Sequence, residues 1–499
     1  MRHLLHAGAR RPFRRPRLTG PTRRVTYALL CAMAIAVGVQ AGPAHAQPAA
    51  AGPHTSRAIA APGGIVATNP FVAAGGSATM HGDAGSSDVT PNAGPRLPGR
   101  SSVHVLGAAC PTILAGSDHL VVALCTQLVG RAPMAVLIDP VSLAVLDTHR
   151  FAAGGLLGGV YAFLDNRNRL VLAASNTLTR LAHSHNRFTT LTRQPLGSAI
   201  AQGDSVTGLT PDWSGRVWFA TSRGVVGVVN DQGSVTTAHL PAGEQVANSI
   251  SASPRQISVA STHALYAFDA TAERPRILWR ATYDRGSARK PGQLSWGTGS
   301  TPTFFGPRTG DDYVTIVDNA DRRVHLRVYD AATGATVCSA PVLTRGGPGS
   351  ENSPIGVGNT VVIGGTYGYP YPAVPDGAGP AVPATAPFRG GMTRVDVVDG
   401  RCVPRWDVAV HSAAVPRYSS ADHLIHTVIR SPGPVQVADG FAYAQIDPST
   451  GAVVHTTPLA PTAAEDTLQM SGLITASTSP RGGTYIQGTT TGFESVAPR

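Results

Sequence analysis

Of the 40 basic residues in this 499-residue chain, Lys290 is the only lysine and all the others are arginine, a bias typical of a GC-rich bacterial genome. No Cys-x-x-Cys occurs, which leaves a zinc ribbon or a thiol redox pair without support. Gly-x-Ser-x-Gly and His-Glu-x-x-His are also missing, removing the esterase elbow and the zincin helix. Helical periodicity is scarce after residue 100. What is present instead are apolar runs of four to seven residues punctuated by Gly, Asp, Asn and Pro, the pattern of antiparallel β-structure. No long apolar run exists either. The best, YALLCAMAIAVGV, ends at Val39, short of the roughly 20 residues that span a bilayer.

That run belongs to an address label. Eight arginines precede it, and Ala44 and Ala46 behind it supply the small residues a signal peptidase needs, so residues 1–46 read as an export signal. The pair Arg23–Arg24 leaves twin-arginine and general export both open. Cleavage takes eight positive charges from the formal +11 and leaves the mature chain near +3. The high pI is therefore no argument for nucleic acid, and no basic stripe with interleaved aromatics exists to bind it. The mature chain has no stable membrane span and is expected to be secreted or periplasmic. Residues 47–102, mostly Ala, Gly, Pro, Ser and Thr, hold too little apolar surface to offset chain entropy and are expected to be a disordered linker. Four cysteines survive cleavage. In an exported protein they point to two disulfides. Three connectivities are open, and Cys110–Cys125 with Cys338–Cys402 is preferred because the latter two fall at similar places in neighbouring repeats.

The repeat is an aliphatic pair, then Asp, then a Thr-Gly or Pro-Ser turn and a short strand. It is found at Val136–Asp147, Leu265–Trp279, Leu326–Cys338, Thr393–Trp406 and Tyr443–Thr456. A period near 50 residues signals a β-propeller over 103–497. The clearest blade is Asp204–Leu240, with four short strands and turns opened by Asp212 and Asp231. Eight inner-strand candidates give eight blades, with seven as the alternative. The last unit is one strand short, and Val103–Ala108 would complete it, closing the ring between the two ends of the chain. Gly368–Phe388 is a Pro-rich insertion in the sixth unit, by default a mobile loop. Tyr367, Tyr369 and Tyr371 within it would form a contacting lip if it binds.

The Asp-x-x-Thr-Gly turns at Asp330–Gly334 and Asp447–Gly451, with Trp279 and Trp406 after related turns, resemble the repeat of the quinoprotein-like (PQQ-repeat) propellers. The resemblance implies that these tryptophans dock one blade on the next. It carries no catalytic centre. Quinone-dependent members have adjacent cysteines, which this chain lacks, and that argues against a bound quinone. Other members are non-catalytic assembly scaffolds.

Aligning the starts of the inner strands brings Asp204, Asn248, Ser300, Glu351 and Asn352 to one mouth of the channel. Carboxylate and carboxamide oxygens suit a hard cation such as Ca²⁺, so Asp204, Asn248, Glu351 and Asn352 form a candidate metal set. In composition alone it is similar to the site of gluconolactonase-type propellers. Two readings follow. One is a non-catalytic binding or scaffold propeller facing a protein or glycan. The other is a metal-assisted hydrolase or lactonase.

Overall fold

The computed structural model describes residues 64, 66–151, 160–174, 176–375, 377–433, 438–459 and 462–499. Residues 1–46, expected to be an export signal, lie outside them. Among the described residues, helix is confined to two single turns, Gly197–Ala199 and Ala463–Glu465. Everything else regular is strand, arranged as eight blades of a β-propeller. Blades 1 to 7 occupy 108–150, 162–195, 206–239, 251–282, 303–341, 355–408 and 417–458, each a four-stranded meander running from the axis outward. Blade 8 takes Leu473–Ile474, Tyr485–Gly488 and Gly492–Ala497 from the C-terminus and Arg100–Val105 from the N-terminus. Arg100 faces Ala497 and Val105 faces Gly492 in that antiparallel pair, which closes the ring. Closure leaves no blade short of a strand and blunts the edge hazard of an open sheet.

Side chains alternate across each blade, so every inner strand feeds two interfaces. In Val217–Thr221, Trp218 joins Tyr266 and Phe268 of blade 4, whereas its neighbour Phe219 packs with Leu170 and Leu172 of blade 2. Each such buried aromatic contributes on the order of 2–3 kcal/mol. The outermost strands need only one buried face: Ile277–Thr282 alternates exposed and half-buried residues.

The Asp-turns dock the blades. Asp330 Oδ1 accepts from the Thr333 amide and hydroxyl, and Asp447 Oδ1 from the Ser449 amide and hydroxyl. Trp279 of blade 4 donates its indole N–H to Ala331 O in the blade 5 turn, at 2.9 Å. Trp406 of blade 6 does the same to Pro448 O in blade 7, also at 2.9 Å. Gly334 closes the first of these turns at φ +72°, and a Cβ there would lie 2.5 Å from the Trp279 ring. Gly334→Ala is expected to lower stability by about 1–3 kcal/mol through backbone strain and collision together. Gly400→Ala, at φ +70° with open space around it, carries strain alone and is expected to cost less. Urea midpoints of the two variants check this, and equal losses would refute tryptophan docking at Gly334.

Both disulfides are formed as expected. Cys110–Cys125 joins the two inner strands of blade 1, and Cys338–Cys402 ties the outer strands of blades 5 and 6 across 64 residues.

The linker expectation fails over residues 66–102. Val66, Asn69, Ala78, Met80, His81, Asp88 and Thr90 are buried, and Val89–Thr90 adds a parallel strand to the innermost strand of blade 7. The segment fills the axial channel. It is ordered through backbone groups rather than apolar side chains, which is why its composition misleads. The structured chain thus starts well before residue 103. Residues 47–63 lie outside the described residues.

Candidate functional site

The chain passes from the outermost strand of one blade to the innermost of the next. All innermost strands therefore begin at one mouth of the channel, called here the start mouth, and finish at the other, the end mouth. The residues just before the inner strands of blades 2 to 6 line the start mouth: Tyr161, Asp204, Asn248, Ser300, Glu351 and Asn352.

Glu351 is the centre of this ring. Its side chain lies over Gly299, where any Cβ would collide with the carboxyl group. Asn248 donates to Glu351 Oε2 at 3.5 Å and also to Gly299 O. Tyr161 donates to Asn248 Oδ1 at 3.2 Å. Glu351 Oε1 is buried and accepts no hydrogen bond of standard geometry. Burial pushes the Glu351 carboxyl up to about 8, against weaker opposing pulls from the Leu294 amide, Asn248 and Arg289. Burial thus favours the protonated acid, a hydrogen-bond donor, over the anion. Burial, and the proximity of Glu351, also raise the Tyr161 and Tyr371 hydroxyls.

The channel segment lies beneath Tyr161 of this ring. Below Tyr161, between it and Thr79–Ser86, the remaining cavity is about 10 Å³, room for about one water. Among the described residues the channel segment thus lies across the axis beneath Tyr161.

The rim of the start mouth is the Pro-rich insertion, which is packed and not the mobile loop expected by default. Tyr369 is buried, donates to Asp466 and lies under Arg430, which pairs with Asp439 and Asp466 at 2.7 Å each. Arg289 holds the insertion at Gly379 O, 2.9 Å away, and its own carbonyl accepts from the Val382 amide. Lys290 is buried beside it, donating to Ala320 O and Pro348 O at 2.5 and 2.8 Å, and burial pulls its ammonium down to about 8. The lone lysine is a strut.

Of the four candidate metal ligands, only Asn248 and Glu351 meet. Asp204 turns to its own blade, where Oδ1 accepts from the Ser205 and Arg223 amides and the Ser222 hydroxyl. Asn352 donates to Gln469 at 3.2 Å. Among the described residues no group of three or more His, Cys, Asp or Glu side chains is placed to hold a metal ion. Register reasoning passes over Tyr161, although it immediately precedes the inner strand of blade 2, two strand starts before Asn248. Tyr371 comes from the insertion, whose placement has no register to read.

No family model matches the chain. An uncharacterised protein of Archaeoglobus fulgidus is 29% identical over 136 residues, 26% of this chain and 26% of that protein, so the chain spans about a quarter of the relative's length. Among solved structures, virginiamycin B lyase from Staphylococcus aureus aligns with 80% of this chain and 99% of its own, at 10% identity and a TM-score of 0.41. The WD40 domain of Toxoplasma gondii coronin covers 74% of this chain and 88% of its own, at 10% identity and a TM-score of 0.42. BamB from Moraxella catarrhalis covers 82% and 96% at 13% identity, with a TM-score of 0.33. At these identities the likeness extends to the propeller fold alone. No helix among the described residues is long and apolar enough to cross a membrane.

Proposed function

We propose that this chain is an exported member of the quinoprotein-like propellers, a non-catalytic binding module that engages a protein or glycan partner at the start mouth. The observation that carries the reading is the set of polar side chains at the start mouth centred on Glu351, whose carboxyl burial raises to about 8 and which Asn248 and Tyr161 link into one chain of hydrogen bonds, in a propeller closed by pairing the two ends of the chain. The indole bonds of Trp279 and Trp406 support the superfamily. The two disulfides support an oxidising compartment outside the cytoplasm. A rigid site of this kind loses little entropy on binding, as a scaffold requires.

The test is titration of the purified exported protein with soluble cell-wall glycan fragments and envelope proteins, alongside lactone and ester hydrolysis assays. Saturable binding without turnover is expected. It should weaken from pH 6 to pH 9 as Glu351 ionises, and Glu351→Gln should remove that pH dependence. Lactone turnover, or a calcium-dependent rise in melting temperature abolished by Glu351→Gln, would replace this reading with the metal-assisted hydrolase.

A further inference from the structure

The segment in the channel touches the innermost strand, or the turn it leads into, of all eight blades. Ala115 of blade 1 donates to Ser77 O, and in blade 2 Leu164 both donates to Ala78 O and accepts from Ala73. Asn69 donates to Pro211 O of blade 3 at 2.9 Å. The amides of Ala252, Phe304, Gly356 and Tyr418, in blades 4 to 7, donate in turn to the carbonyls of Ala84, Gly85, Ser87 and Asp88. In blade 8, Asn92 donates to Ile474 O at 3.0 Å and Gly483 donates to Ala93 O. These are the axial edges of the sheets, and the segment satisfies them much as a bound strand satisfies a sheet edge.

Its path is a loop. Gly64 O accepts from Gly358, just past the inner strand of blade 6, so the chain enters at the end mouth. The far turn reaches the start mouth, where Met80 O accepts from Arg417 at 2.6 Å and His81 meets Thr301 and Ser353. The chain then returns, leaving beside Arg481, which accepts from the Arg96 amide. Both ends lie at one mouth, so the loop needs no threading to enter or leave. The ring is already closed without it, by Arg100–Val105 on Gly492–Ala497. Its apolar share is small, with Val66, Val72, Ala84 and Val89 each buried in a different blade cluster.

We infer that the axial channel is a binding site for an extended peptide loop and that residues 66–96 are its resident ligand, entering and leaving as one piece while the eight-bladed ring stays closed. Contacts made mainly through backbone edges, with a few small apolar side chains and one polar cluster around Asp88 and His81, are those of a guest. The apolar blade interfaces are those of the host.

The full-length exported protein, with a specific protease site inserted between Arg96 and Leu97, tests this. After cutting, the fragment ending at Arg96 is expected to stay with the ring in native gel filtration. It should be released by less urea than unfolds the blades. Once it is gone, hydrogen exchange at the Ala252, Phe304, Gly356 and Tyr418 amides should rise together by about 100-fold or more, with the Arg100–Val105 pairing still protected. Adding the fragment back should restore all four. Gly94→Val, whose side chain would collide with His426, should lower the release point without moving the ring's own transition. Release and ring unfolding in a single transition would overturn the inference, as would loss of the fragment with the four amides unchanged.

Discussion

Asp88→Ala is expected to weaken the seating of residues 66–96 in the ring by about 3–5 kcal/mol, the cost of breaking a buried ion pair from one side. Asp88 is 0% exposed and Arg417 2%. Asp88 Oδ1 lies 3.8 Å from Arg417 Nη2, and the carboxylate also takes bonds from His81, at 3.2 Å, and Ser353. Removing it leaves Arg417 a buried cation whose remaining bond is to Met80 O and whose Nε has no partner. Burial already pulls the Arg417 guanidinium below its ordinary value, and Asp88 is the first group opposing that pull. Arg417→Met in the same chain should recover at least half of the loss, because an apolar side chain of similar length needs no counter-charge. Urea melts of the single and double variants decide it. If Asp88→Ala costs under 1 kcal/mol, the network is not holding the loop tip to blades 6 and 7.

The fate of Asp88 also marks the limit of what the sequence discloses. The blades are legible because their chemistry is local. Asp330 and Gly334 build their own turn, and Trp279 sits at a fixed distance from the next one, so a one-dimensional pattern carries the three-dimensional contact. Ring closure is legible for a related reason, since a last unit lacking a strand calls for one from elsewhere. The channel loop is not legible. Residues 66–96 have neither period nor apolar face, and their order comes from amides such as Ala252 and Tyr418, each more than 160 residues away in sequence. At the start mouth, Asn248 lies 3.5 Å from Glu351, the two strand starts that register aligns. Register fails for Asp204, whose carboxylate is captured by the Ser222–Arg223 turn of its own blade. Strand register fixes where a backbone begins, whereas the rotamer answers to whichever donors lie nearest.

Glu351 gives the largest effect of pH. A carboxyl held at about 8 in the fold against an ordinary 4.5 binds its proton more tightly when folded than when unfolded. Stability therefore falls as pH rises from about 4.5 through 8, and the ionised fold is handicapped by on the order of 4 kcal/mol at alkaline pH. Asp83, raised to about 6 by burial at the tip of the channel loop, contributes in the same sense over the lower part of that range. Lys290, pulled down to about 8 from 10.5, works in the opposite sense, and only above pH 8. Glu351→Gln keeps the shape of the protonated acid and cannot ionise, so the difference between the two proteins isolates this one group. The variant is expected to match the parent near pH 5 and to exceed it in urea stability by several kcal/mol at pH 9. Parallel stability curves across that range would show Glu351 to be solvated, and the start mouth would lose the neutral donor on which its proposed binding chemistry rests.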